Sequence, residues 1–335
     1  MVSIRFKTHK INKNKAKKEI NERKREILED KNSSIDFYKT MKEIKELETH
    51  CEDLYKKKLI RGFCHLCFGQ EHIYAALKHV INDDYVMTSY RCHGLANICG
   101  ISSESILAEL LGKQNGCSKG KGGSMHLYND KFLGGHGIVG SQVPLATGLA
   151  FNISYRNKVL KEKNEKIVYC FFGDGASNQG QVSESFKLAK LYNLKIVYVC
   201  ENNSMGMWTH ESYLNKGDPI YKRPPFPAIR TSVTNPIKLA SILKYAKKIC
   251  TLKGPILIEI KTKRECKHSE RDEINDLISN KKTVFEKFRN FLLSQKTCNI
   301  DEIDSEIEIK MAETVENVKK SKPSEIEGLF KDIYL

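Results

Sequence analysis

Two apolar runs in this chain stop abruptly at residues with chemistry to offer. The run IVYCFF (167–172) gives way to Gly173, Asp174 and Gly175, and the run KIVYVC (195–200) gives way to Glu201, Asn202 and Asn203, with about one helix of sequence between them. In a right-handed strand–helix–strand unit the C-terminal ends of both strands lie on one sheet edge, where open α/β folds bind ligands. Asp174 and Asn203 are therefore expected side by side. The glycines flanking Asp174 let the backbone approach a ligand closely, and the helix start that follows aims free N–H groups at any anion there. A carboxylate, an amide oxygen, a backbone carbonyl and a nearby diphosphate make the all-oxygen shell that Mg²⁺ prefers. Either piece alone reads more simply as a turn or a loop start. The pair is more specific, because both pieces end buried strands joined by one crossover. Neither a G-x-G-x-x-G nor a P-loop motif accompanies them, which weakens the dinucleotide and P-loop readings.

The elements that must position these residues are legible in outline. From 167 onward the pattern is strand, helix (about Gln181 to Tyr192), strand, a helix around PIKLASILKYAKK (236–248) and a strand at PILIEIKT (255–262). Apolar strands without alternation, interleaved with helices, read as a mainly parallel sheet with helices on both faces. Upstream, Ser33 and Asp36 have capping-box spacing, and Phe37, Met41, Ile44, Cys51 and Leu54 recur at helical intervals through Lys58. Residues 59–150 read as short helices, such as SSESILAELLGK, between glycine-punctuated loops. Beyond 280 the chain reads as helical and charged, with TVFEKFRNFLL as its clearest apolar face.

Composition narrows the class. The chain has 335 residues and a formal charge of +15, but residues 1–32 alone hold 11 Lys/Arg against 5 Asp/Glu. The excess thus reads as a solvated or partner-facing basic tail over 1–34, with the domain at 35–335, and nucleic-acid binding is not expected. No apolar run approaches the roughly 18 residues of a membrane span, so no membrane is expected either. Eleven scattered cysteines without a secretory signal point to reduced thiols inside a cell. Cys64-x-x-Cys67 has no second pair at zinc-ribbon spacing and is weak as a metal or redox site. The N-terminus has no acidic residue until Glu19, as in a mitochondrial presequence, yet it is Lys-rich with little apolar face.

The GDG and NN pieces at this distance resemble a thiamine diphosphate motif. RGFCHLCFGQE (61–71), SYRCHG (89–94), GKGGSMHLY (120–128), GGHGIVGSQVPLATG (134–148), GDGASNQGQ (173–181) and KGPILIEI (253–260) resemble the alpha subunit of the pyruvate dehydrogenase decarboxylating component, in order from about Phe37 to the C-terminus. The resemblance implies a thiamine diphosphate-binding fold and thiamine diphosphate with Mg²⁺ as cofactors. It implies that Asp174, the Asn203 side chain and the Met205 carbonyl hold the metal, with methionine standing where the family usually has an aromatic residue. Tyr90, Arg91, Arg264 and His268 would face the diphosphate, joined by backbone N–H groups of Gly175 and Ala176. Gly137 and Val139 would receive the aminopyrimidine. His65 matches an active-site histidine, with His268 as a second catalytic candidate and Phe63 lining the pocket. His93 and His126 keep structural readings.

The same resemblance implies oxidative decarboxylation of pyruvate and transfer of the acetyl unit to a lipoyl group. Acetoin or branched-chain 2-oxo acids, or a non-lipoyl acceptor, are the alternatives. It implies a beta subunit in an alpha2beta2 heterotetramer, which supplies the carboxylate that activates the aminopyrimidine, and a lipoyl acyltransferase as a further partner. The implied location is the mitochondrial matrix or a mitochondrion-derived organelle, with cytoplasm as the close alternative. One departure stands out: Cys266 and Lys267 occupy the usual His-Gly positions, and the lid segment after Ser269 is shortened. Cofactor binding is expected to survive this change, and acceptor use to shift.

Overall fold

A computed structural model describes residues 4–7, 12–214, 219–272, 282–295 and 298–331. The elements run β1 (Ile4–Lys7), α1 (Lys13–Glu29), α2 (Lys31–Lys56), α3 (Glu71–Lys78), β2 (Tyr85–Ser89), α4 (His93–Ile98), α5 (Ser103–Leu110), β3 (Phe132–His136), α6 (Gln142–Val159), β4 (Val168–Gly173), α7 (Gly180–Leu191) and β5 (Ile196–Asn202). They continue through β6 (Met205–Gly206), β7 (Thr209–His210), α8 (Glu211–Leu214), β8 (Ala228–Thr231), α9 (Pro236–Lys253), β9 (Ile256–Lys261), α10 (Val284–Gln295) and α11 (Ile300–Lys320). Seven strands form one sheet in the order β1-β8-β9-β5-β4-β2-β3. All neighbours are parallel except β1, which lies antiparallel on β8 at the edge.

Strands without polar alternation bury both faces, as expected for a sheet sandwiched between helices. Tyr169 and Phe171 of β4 point into a core shared with α2, α3 and α9, whereas Val168, Cys170 and Phe172 point into a second core shared with α6 and α7. Each such aromatic, fully buried, contributes roughly 1.5–3 kcal/mol. The crossover α7 comes within a residue of its expected bounds, and the three expected strands are β4, β5 and β9.

Three expectations change. The tail over 1–34 is not a free arm in its described part: β1 pairs with β8 from Ile4↔Thr231 to Lys7↔Ala228, and α1 packs on α9 with Ala16, Ile20 and Ile27 buried. An open sheet edge offers unpaired N–H and C=O groups, and a short strand closes it. Helix α2 is capped by Asp30 rather than Ser33, because the Asp30 carboxylate accepts both the Asn32 N–H at 3.0 Å and the Ser33 hydroxyl at 2.9 Å. Within 59–150, β2, β3 and the start of α6 replace what read as loop. FLGGH has no strand pattern of its own and is paired only through β2.

Candidate functional site

Register brings the opening residues together. Gly173 of β4 pairs with Glu201 of β5, so the chain leaves both strands at one edge with Asp174 beside Asn202 and Asn203. The two exits nearly touch: a Cβ on Gly175 would meet the Gly206 Cα at 3.1 Å, and the reverse holds. Glycine at both positions is what lets the loops close around a shared point.

That point opens into a cleft of ≈ 300 Å³ whose wall contains Tyr90, Arg91, Val139, Asp174, Gly175, Ala176, Asn203, Met205, Arg264 and His268. Its two sides carry opposite charge. On the acidic side Asp174 is 3% exposed and has no cation within ion-pair distance among the described residues. Burial pushes its carboxyl up to about 6, and Glu211 adds to the rise. The Asn203 side-chain oxygen accepts the Met205 N–H at 3.0 Å, which fixes the amide's orientation toward the same edge.

On the basic side Arg91 and Arg264 are both buried, and neither has a carboxylate within ion-pair distance among the described residues. Instead they donate to carbonyls and a ring. Arg91 reaches the Leu66 carbonyl and, at 2.9 Å, the His268 carbonyl. Arg264 Nε reaches the Cys266 carbonyl at 3.0 Å, and its Nη1 lies 3.2 Å from His268 Nδ1. Burial and the Arg91 guanidinium push Arg264 down from its ordinary value. Two buried cations beside one another cost energy unless an anion joins them.

His65 does not line the cleft wall but backs it. Its ring lies 4.4 Å from Tyr90 and 5.4 Å from His268, centre to centre, with Phe63 stacked at 5.9 Å. Burial, followed by Arg91, pushes His65 down to about 2, so the ring is neutral, and its Nδ1 has no hydrogen-bond partner. His268 is likewise lowered to about 4, by burial and then Arg91. Phe63 is about half-exposed, under the Arg271 guanidinium. Gly137 lies in the turn between β3 and α6, beside the His126 ring. His93 is committed elsewhere: Nδ1 sits 2.8 Å from Glu48 and Nε2 2.8 Å from Ser124, all buried.

Sequence reasoning passed over Gln70 and Glu201, which also line the cleft. Gln70 Nε2 donates to Glu201 at 3.2 Å, while Gln70 Oε1 is buried without a partner. Burial raises Glu201 to about 7. The signal for Glu201 was present, since it lies near the end of β5, immediately before the Asn pair. Cys64 and Cys67 are buried thiols pushed well above their ordinary range by burial, and all eleven cysteines are free. The lid segment that read as shortened runs into 273–281, which lies outside the described residues. Among the described residues no helix is long and apolar enough to cross a membrane.

Comparison with known proteins identifies a family. A profile of the family described as "Dehydrogenase E1 component" matches residues 39–327. The chain is 37% identical over 320 residues to the mitochondrial pyruvate dehydrogenase E1 component subunit alpha of Dictyostelium discoideum, covering 91% of this chain and 83% of that protein. It is 43% identical over 241 residues to the testis-specific mitochondrial form of Homo sapiens and 45% identical over 241 residues to the mitochondrial protein of Saccharomyces cerevisiae. Those two stretches cover 71% of this chain, and 61% and 56% of the respective relatives.

Proposed function

The chain belongs to the dehydrogenase E1 component family, and from that premise we propose that it is the alpha subunit of a thiamine diphosphate-dependent pyruvate dehydrogenase that acts with a beta chain. The observation that carries the reading is the pairing of unmet charges in one cleft: two buried guanidinium groups on one side and a buried carboxylate on the other. A lone anion would satisfy the first and leave the second worse off. A lone cation would do the reverse. A metal-bound diphosphate satisfies both.

In this assignment Asp174, the Asn203 amide oxygen and the Met205 carbonyl hold Mg²⁺. Arg91, Arg264, Tyr90 and His268 hold the diphosphate together with the Gly175 and Ala176 N–H groups, and the Gly137 and Val139 main chain receives the aminopyrimidine. Thiamine diphosphate supplies the carbon nucleophile and the electron sink for loss of CO₂ from a 2-oxo acid. The protein orients and desolvates. His65, neutral and buried behind Tyr90 with an unpartnered Nδ1, is the active-site histidine of this assignment and supports the substrate side from behind the cleft wall. His268 and Phe63 complete that side.

A partner is supported by the surface of the second helical layer. Leu145, Phe151, Tyr155 and Val159 of α6 and Leu188 and Leu191 of α7 are exposed, and Phe151 meets Tyr192 at 4.9 Å, so the apolar face is continuous. Soluble chains rarely leave such a face bare. We assign it to the alpha/beta assembly, with a mitochondrial location as the relatives' names suggest; the acceptor in this assignment is a lipoyl group. The test is decarboxylation by this chain co-purified with its beta chain. Turnover of pyruvate above acetoin and 3-methyl-2-oxobutanoate is expected; preference for either of the latter overturns the substrate assignment.

A further inference from the structure

Between the Asn203 and Met205 positions stands Ser204, whose φ of +69° is in the left-handed region that residues other than glycine avoid. Such a conformation persists only where the surroundings over-determine it. Here they do. The Ser204 N–H donates to Asn202 Oδ1 at 3.0 Å, and its carbonyl accepts the Glu211 N–H at 2.8 Å. Its hydroxyl accepts from Lys261 Nζ at 2.6 Å and donates to Glu211 Oε1 at 3.2 Å.

The two charged residues converge on the same loop from different elements. Lys261, the last residue of β9 and the register partner of Asn202, also donates to Asn202 Oδ1 at 3.0 Å and pairs with Glu211 at 2.5 Å. The other Glu211 oxygen accepts from Asn202 Nδ2 at 2.8 Å. All three ammonium protons of Lys261 and both oxygens of Glu211 are thereby spent on residues 202–211. The pair is largely buried, with 22% of each side chain exposed, so it is little screened. Its charges reach Asp174 in opposite senses, Glu211 raising and Lys261 lowering its pKa.

We propose that Lys261 and Glu211 are positioning residues: an ionic clamp that sets the Asn203–Met205 loop in its metal-binding shape before cofactor arrives. The proposal rests on the assignment of Asn203 and Met205 to Mg²⁺. It implies that Mg²⁺ affinity depends on two residues that touch neither metal nor diphosphate.

The test uses the full chain assembled with its beta chain, comparing wild type with Lys261→Met, Glu211→Gln and Lys261→Arg. Hydrogen exchange over 202–211 without cofactor and the Mg²⁺ concentration for half-saturation with thiamine diphosphate are read together. Loss of a charge-assisted set should speed loop exchange and raise the Mg²⁺ requirement by about tenfold or more in Lys261→Met and Glu211→Gln, with Lys261→Arg near wild type. Should Lys261→Met fail to assemble, Glu211→Gln carries the same expectation. Wild-type exchange in both variants, or faster exchange with an unchanged Mg²⁺ requirement, overturns the clamp. If wild type itself binds no cofactor, the functional assignment fails, and the exchange comparison alone decides the clamp.

Discussion

The two sides of the cleft are built in different ways. The acidic side is made by neighbouring strands of one sheet, so its residues are placed by backbone register: Gly173 opposite Glu201, then Asp174 beside Asn203. The basic side is made by loops that follow β2 and β9, tied by side-chain donors to the carbonyls of Leu66, Cys266 and His268. A side built on register stays in place when empty. One built on arginine-to-carbonyl contacts must relinquish some of them to an incoming anion, and is the adaptable half.

The difference sets distinct expectations for each side. Asp174→Ala removes the metal carboxylate and should cost roughly 3–5 kcal/mol, or two to four orders of magnitude in thiamine diphosphate affinity, read by calorimetric titration of the alpha/beta assembly. The two sides should also respond to pH with opposite sign. His65 prefers to be neutral in the folded state, at about 2 against an ordinary 6.5. Its contribution is therefore complete above 6.5 and is lost as pH falls below that value, by about 3 kcal/mol at about pH 4.5. Denaturant titrations across that range should show the loss in wild type and a smaller one in His65→Asn.

Asp174 behaves in the reverse way in the absence of metal. Its folded pKa of about 6 lies above the ordinary 3.8, so its contribution is complete below 3.8 and is lost as pH rises through 6. Asp174→Asn should accordingly stabilise the cofactor-free chain by about 3 kcal/mol at about pH 7.5 while weakening cofactor binding. A lower melting temperature for this variant would contradict the picture of an uncompensated carboxylate. On the basic side, where Arg91 remains to share the anion, Arg264→Met should cost only about tenfold in cofactor affinity, or about 1.4 kcal/mol. A loss as large as that of Asp174→Ala would mean that this side is as rigid as the other.

What the sequence discloses follows the same division. β4, α7 and β5 are local patterns, and their strand ends could be placed from periodicity alone, with Asp174 and Asn203 on them. The basic side came only through resemblance: nothing in SYRCHG or TKRECKHS indicates that Arg91 and Arg264 meet at His268, because the contact joins segments more than 170 positions apart. Glu211 and Lys261 were invisible because their contact, across 50 positions, is also set by the fold and by no local pattern. β1 escaped because four residues in a basic stretch carry no periodicity, and its partner β8 lies more than 220 positions away. β3 escaped because two of its five residues are glycines.

The most direct test of the central claim is a titration of the wild-type alpha/beta assembly with thiamine diphosphate, with and without Mg²⁺, in a chelator-treated buffer. If the cleft is built for a cation and an anion together, binding should be tight with the metal and weaker by about two orders of magnitude or more without it. Equal affinity in both buffers, or no binding in either, would contradict the assignment of Asp174 and Asn203 to a metal and of Arg91 and Arg264 to its diphosphate.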